Sequence, residues 1–213
     1  MIGKPVAHGN RQAVLLDRDG VLIEDSKDYI CSATDVRLLP GASEALAALR
    51  HAGFLTVLVT NQSAVAHGYI DKSTLRTIHR QLKHLLALGH PDAKLDRIYY
   101  CPYHPQARLR RYRRNSKLRK PRPGMLLKAA RELGLDLHRS YMVGDRKIDI
   151  SAAAAAGCTP IFVTTGLVAY EERGDAQGAG PAFVAPNLQE VASWILCREF
   201  ELRETQDDEH STS

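Results

Sequence analysis

Twice in this chain an apolar run stops abruptly at a carboxylate. Ala13-Val14-Leu15-Leu16 leads into Asp17-Arg18-Asp19-Gly20, and Tyr141-Met142-Val143-Gly144 leads into Asp145. A short apolar run ended by glycine and polar residues has the form of a strand buried on both faces. Between such runs lie helical patterns, and the alternation constrains the fold more than any other feature. Strands alternating with helices make βαβ units with right-handed crossovers. The expected class is therefore α/β: a Rossmann-like, mostly parallel sheet with helices on both faces. Ligands of such sheets bind outside the carboxyl ends of the strands, where Asp17, Asp19 and Asp145 fall. Taken alone, Asp-x-Asp-Gly also fits an ordinary solvated strand-to-loop junction, and the rest of the chain has to decide.

In order, Ile23 to Leu39 shows no strong period and reads as a loop on the substrate side. Pro40-Gly41 opens a helix stopped by Gly53. Phe54 to Val59 is a β-branched strand ending in the polar turn Thr60-Asn61-Gln62-Ser63. Asp71 to Leu88 reads as a helix with Asp71 as N-cap and a stripe of Leu75, Ile78, Leu82, Leu85 and Leu86. Asp96 to Tyr100 is a short strand, Pro123 to Gly134 a helix, and Tyr141 to Gly144 the next strand. An alanine-rich helix over 151–156, a strand over 160–164, the apolar Ala182-Phe183-Val184 and a helix from Leu188 to Leu196 complete the pattern.

At 213 residues and 44% apolar content, the chain suits one globular domain with an ordinary core. The expected division is a leader over 1–12, a catalytic domain over 13–197 and a disordered polar tail over 198–213. No apolar run is long enough for a membrane span, and the first residues lack an export signal, so a cytoplasmic location is expected. Cys31, Cys101, Cys158 and Cys197 have no paired spacing and do not read as a disulfide framework. The formal charge of +5 is concentrated between Arg108 and Arg122. Such a block suits nucleic acid or a small anionic substrate equally, and net charge does not choose between them.

Carboxylates gathered at one sheet edge repel one another unless a cation lies between them. Hard oxygen donors suit Mg²⁺, so Asp17 and Asp145 are expected to bind it. A carboxylate beside a phosphate can also attack phosphorus, which makes Asp17 the candidate nucleophile. Asp19 is the candidate acid/base. Thr60 and Asn61 can donate to phosphate oxygens, and Lys120 can supply a cation. Asp149, on the first turn of a helix, is expected to support the metal site from behind.

Four segments in order, Asp17-Arg-Asp-Gly-Val, Val59-Thr-Asn-Gln-Ser, Arg119-Lys-Pro-Arg-Pro-Gly-Met and Met142-Val-Gly-Asp-Arg-Lys-Ile-Asp, resemble the motifs of the haloacid dehalogenase superfamily of phosphatases. Within it they look like the histidinol-phosphatase/heptose-bisphosphate phosphatase group, from about Leu15 to Gly166. The resemblance implies a fold without a large cap domain, Asp19 touching the metal through its backbone carbonyl, and Arg119 reaching the sugar. Arg146 stands where the family has a lysine and keeps the charge. The implied activity is Mg²⁺-dependent removal of the 7-phosphate of a heptose 1,7-bisphosphate through an aspartyl-phosphate, toward ADP-heptose and the lipopolysaccharide core.

Histidinol-phosphate phosphatase is the alternative, and a nucleic-acid binder or end-processing phosphatase is the alternative of another class. A small sugar bisphosphate, no nucleic acid, no membrane and a monomer are the expected partners and state. Relatives commonly hold a structural zinc on two cysteine-bearing loop segments. Here the corresponding positions are Cys101, Tyr103, Ser116 and Leu118, so no zinc is expected and the loop must be held otherwise or be more mobile. Its arginines, Arg108, Arg110, Arg111, Arg113 and Arg114, are candidates to grip a second phosphate or to form a solvated face.

Overall fold

The computed structural model describes residues 10–167 and 180–211, with side chains described to residue 205. Six parallel strands form one sheet in the order β3-β2-β1-β4-β5-β6, where β1 is Ala13–Leu16, β2 Leu55–Asn61, β3 Arg97–Cys101, β4 Tyr141–Gly144, β5 Thr159–Val163 and β6 Phe183–Ala185. The chain runs outward from β1 in both directions, so the strand order reverses between β1 and β4. At that switch point the crossovers diverge and open a crevice at the carboxyl ends. Asp17 and Asp145 are the residues that follow those two strands.

The period of two along β1 divides the core. Val14 and Leu16 pack into a layer with Leu46, Leu75, Ile78 and Val191, while Ala13 and Leu15 pack with Met125, Leu126, Ala129 and Ala152 on the other face. The first layer is covered by α1 (Ala42–His51), α3 (Lys72–Gly89) and α6 (Leu188–Ser211), the second by α4 (Gly124–Leu133) and α5 (Lys147–Ala156). All four β1 residues are fully buried, as a central parallel strand requires. No inserted domain covers the carboxyl edge among the described residues, and no helix there is long and apolar enough to cross a membrane.

Several boundaries differ from the sequence pattern: α5 begins at Lys147 rather than at 151, and β2 runs on through Thr60 and Asn61, which the pattern assigns to the turn. A five-residue helix, α2 (Ser63–His67), replaces the latter part of the expected turn after β2, and Ala64 and Val65 bury themselves in the first layer. Helix α6 continues from Leu188 to Ser211, beyond the expected end at Leu196 and through much of the stretch expected as a disordered tail. Tertiary contacts hold the first turn past Leu196: Glu199 is buried and accepts hydrogen bonds from Tyr141 Oη (2.6 Å) and Gln12 Nε2 (3.0 Å). Finally, the expected leader is already tied down at Arg11, which bonds to Gly134 and Asp136 through its backbone. Residues 1–9 lie outside the described part.

Asp71 caps α3 by accepting from the Thr74 N–H at 2.7 Å. The buried face of α3 also carries His79, 7% exposed and edge-on to Tyr100. Burial, then the charges of Arg18 and Lys83, push its pKa from 6.5 down to about 3. The unfolded chain therefore binds more protons than the folded one between those values, so His79 contributes stability above pH 6.5 that is lost as the pH falls toward 3. His79→Leu is expected to flatten the decline measured by urea unfolding between pH 7 and 4.5, by up to about 1.4 kcal/mol per pH unit. An unchanged slope would contradict the buried neutral imidazole.

Candidate active site

β1, β2, β4 and the segment before α4 deliver the site. The Asp17 N–H donates to Val143 C=O at 3.0 Å, which stitches the first carboxylate to the neighbouring strand. Gly20 then turns the chain with φ of +75°, and a Cβ there would lie 2.7 Å from Asp145 Oδ2. A side chain at Gly166 would overlap Asp145, and one at Gly144 would overlap Asp149. Glycine is needed at these places because the carboxylates occupy the space.

Asp17, Asp145 and Asp149 are all buried, and each offers an oxygen within 4.8 Å of the others'. Burial, then the charges of Asp17 and Asp149, push the Asp145 carboxyl up to about 8. Asp149 is raised to about 6, chiefly by burial. Such mutual destabilisation of anions is what a divalent cation relieves, and an all-oxygen donor set in a glycine-walled space fits Mg²⁺.

Lys120, 1% exposed, is the buried cation of the cluster. Its Nζ lies 2.6 Å from Asp149 Oδ1 and 3.0 Å from Asp17 Oδ2, and it donates to Val59 C=O at 2.8 Å. Burial alone would lower its pKa, but Asp149 and Asp17 overcome that and raise it. Asp149 Oδ2 accepts from the Arg146 N–H at 3.0 Å, so its two oxygens are committed to Lys120 and to the start of α5. It holds the lysine in place.

A cleft of about 310 Å³ opens over this cluster. Asp17, Asp19, Asn61, Arg119 and Arg146 line it, together with Asp25 to Ile30 of the loop after β1. Thr60, Lys120, Asp145 and Asp149 lie beneath rather than along the wall. Asn61 is tied to a neighbour: its Nδ2 donates to Lys120 C=O and its Oδ1 accepts from Lys120 N–H, both at 3.1 Å. Arg119 Nη1 donates to Ser63 Oγ (3.0 Å) and Tyr103 C=O (3.2 Å), which holds the guanidinium at the cleft. Arg146 pairs with Asp25 at 3.1 Å, joining the end of β4 to the substrate-side loop.

The basic loop is held by its own side chains. The Arg114 guanidinium sits 3.6 Å from the Tyr103 ring centroid, Tyr103 and Tyr112 rings are 6.0 Å apart, and Arg113 Nε donates to Ala107 C=O at 2.7 Å. None of Arg108, Arg110, Arg111, Arg113 or Arg114 lines the cleft. Tyr29 and His104 do, within a cluster completed by His67 and Tyr69.

Comparison with known proteins agrees with this geometry. Residues 117–191 match a family model described as HAD-hydrolase-like. The D-glycero-beta-D-manno-heptose-1,7-bisphosphate 7-phosphatase of Photorhabdus laumondii is 41% identical over 155 residues, covering 72% of this chain and 81% of that one. This chain belongs to the haloacid dehalogenase-like phosphatases. Another relative of this phosphatase, the D-glycero-D-manno-heptose-1,7-bisphosphate 7-phosphatase of Thermosynechococcus vestitus, is 39% identical and covers 87% of this chain and 95% of its own. The crystal structure of D,D-heptose 1,7-bisphosphate phosphatase from B. bronchiseptica, complexed with magnesium and phosphate, matches with a TM-score of 0.76 at 36% identity, over 88% of this chain and 99% of that one. The phosphatase is thus a phosphoric monoester hydrolase of a Mg²⁺-using family. Sequence reasoning passed over Arg18, Gln62 and Asp25, whose side chains meet the site residues only through the fold.

Proposed function

We propose that this phosphatase removes the 7-phosphate of D-glycero-D-manno-heptose 1,7-bisphosphate, acting as a monomer on a precursor of ADP-heptose. The observation that carries the mechanism is that Asp17 alone, of the three clustered carboxylates, lines the cleft. Asp17 attacks phosphorus; an Asp17 O–P bond forms, the P–O bond to the sugar breaks, and its electron pair leaves on the sugar oxygen. Asp19 gives that oxygen a proton, then takes one from the water that attacks phosphorus and frees Asp17. Lys120 and the Thr60 hydroxyl, set beneath the cleft, offset charge on the phosphoryl oxygens, and Asn61 acts through its clasp on the Lys120 backbone. Asp17, Asp145 and the Asp19 carbonyl would hold Mg²⁺, which when bound neutralises the carboxylates and the phosphoryl group. Arg119, with Tyr29 and His104 beside it, faces the sugar, and Arg146 adds a cation at the rim. The 36–41% identity to heptose-bisphosphate phosphatases supports the substrate.

Phosphate release tests the substrate. With Mg²⁺ present, kcat/KM is expected to be highest for a heptose 1,7-bisphosphate anomer among fructose 1,6-bisphosphate, histidinol phosphate and a 5′-phosphorylated oligonucleotide. Preference for either of the last two would overturn the substrate and keep the chemistry.

A further inference from the structure

We propose that Arg18 is a positioning residue: it clamps the Asp19 carboxylate in the orientation from which Asp19 exchanges protons with the leaving and attacking oxygens. The inference rests on the acid/base role given to Asp19 above. Arg18 is only 2% exposed, and it heads the fully buried side chains of the described structure by volume. A guanidinium is seldom buried without a partner, so its pairing identifies what it does.

That pairing is a two-point fork. Arg18 Nε donates to Asp19 Oδ1 at 2.9 Å, and Nη2 donates to Oδ2 at 3.0 Å. Adjacent side chains on an extended strand point to opposite faces. Here the turn brings them together, with the N–H groups of Leu22 and Ile23 returning to Arg18 C=O at 3.0 and 3.1 Å. Every side-chain hydrogen bond of Arg18 among the described residues goes to Asp19, and Nη1 makes none there. An arginine serving only to brace the fold would spread its donors over backbone carbonyls, as Arg113 does with those of Ala107 and Arg108.

Asp19 is steadied from the other side by Gln62, whose Nε2 lies 3.3 Å from Oδ2 and donates to Thr60 Oγ1 at 3.0 Å. The acid/base group is thereby anchored to the end of β2. The Asp19 side chain nevertheless keeps 24% exposure and lines the cleft. Its oxygens are held by Arg18 and Gln62 while the side chain stays at the cleft wall. Proton transfer needs heavy atoms within hydrogen-bond reach, so a carboxylate released to rotate loses much of its effect.

The test compares leaving groups. For the sugar phosphate turned over fastest in the panel above, the departing alkoxide must be protonated; for p-nitrophenyl phosphate, the departing phenolate need not be. kcat/KM reports on steps through phosphoryl transfer to Asp17, which isolates the acid role of Asp19. Arg18→Met is expected to lower kcat/KM on the order of 10²-fold for the sugar phosphate and less than about threefold for the aryl ester. Arg18→Lys, with one contact point in place of a fork, is expected to fall between Arg18→Met and the unaltered enzyme. Equal loss on both substrates, or no loss on either, overturns the proposal.

Asp19→Asn separates the clamp from the acid role. If it shows the leaving-group contrast and Arg18→Met does not, only the clamp fails; if it shows no contrast, the acid role fails and the clamp with it. Should Arg18→Met not fold, Arg18→Lys keeps the buried charge opposite Asp19 and carries the same comparison: a larger loss on the sugar phosphate than on the aryl ester supports the clamp, and equal loss or none overturns it.

Discussion

Asp17→Asn is expected to abolish turnover, by at least about 10⁴-fold in kcat, because the amide cannot form the covalent intermediate that divides the reaction into two easier steps. The fold should survive. The exchange is nearly isosteric, and it removes one negative charge from a site where Asp17, Asp145 and Asp149 already crowd together. Asp17 and Asp149 both help to raise the Asp145 carboxyl, so the relieved repulsion offsets the lost Asp17–Lys120 pair; Lys120 keeps Asp149 as its partner, and the metal-free variant should still unfold cooperatively near the metal-free parent. Phosphate release and thermal unfolding on the same preparation check both halves. Retained activity would remove Asp17 from the role of nucleophile. Lost activity with a collapsed melting transition would show that the side chain is needed for folding instead.

Lys120→Met is expected to damage stability and catalysis together. Its ammonium is the cation the structure sets against Asp149, which is fully buried, and it lies 3.0 Å from Asp17. Removing one partner of a buried pair leaves the other charge uncompensated, at a cost of about 3–5 kcal/mol. Activity should fall on the order of 10²–10³-fold from the missing cation at the phosphoryl oxygens. The double change Lys120→Met with Asp149→Leu separates the effects. With both charges gone the stability should largely return, while activity stays low. Urea unfolding of the two single variants and the double variant measures the coupling. Additive stability losses would mean that the pair does not act as a unit. Recovery of activity in the double variant would mean that Lys120 matters only through Asp149.

Much of this arrangement could be read from the chain because parallel strands write themselves plainly. Ala13–Leu16 and Tyr141–Gly144 are buried on both faces, so they appear as apolar runs, and the carboxylates that end them stand out. The strand order places those two ends side by side, which is why separate motifs proved to share one crevice. Asn61 was legible as a polar residue at the sheet's carboxyl edge, where it lines the cleft; its clasp on the Lys120 backbone was not, since it spans 59 positions and depends on how two segments meet. Arg18 sits in a place between two acids where sequence gives no preference for pointing inward. The loop arginines read as a grip on a second phosphate or a solvated face; all five are exposed and none lines the cleft, and Arg113 and Arg114 also fasten the loop, through Ala107 C=O and the Tyr103 ring. For α6, a hydrophobic pattern that fades after Leu196 gave no sign that Glu199 would be drawn down by Tyr141 and Gln12. Polar contacts between distant segments carry no local period, and these are where reading the sequence stops short.

The central claim is that the phosphoryl group passes through Asp17. The most direct test is to mix enzyme, Mg²⁺ and substrate, quench in acid within the first turnover, and determine by peptide mass spectrometry which residue carries phosphate. A phosphoryl adduct on the peptide containing Asp17, convertible by borohydride to homoserine at that position and absent from Asp17→Asn, is the predicted result. Rapid phosphate release with Asp17 unmodified at every quench time, or an adduct on a different residue, would contradict it.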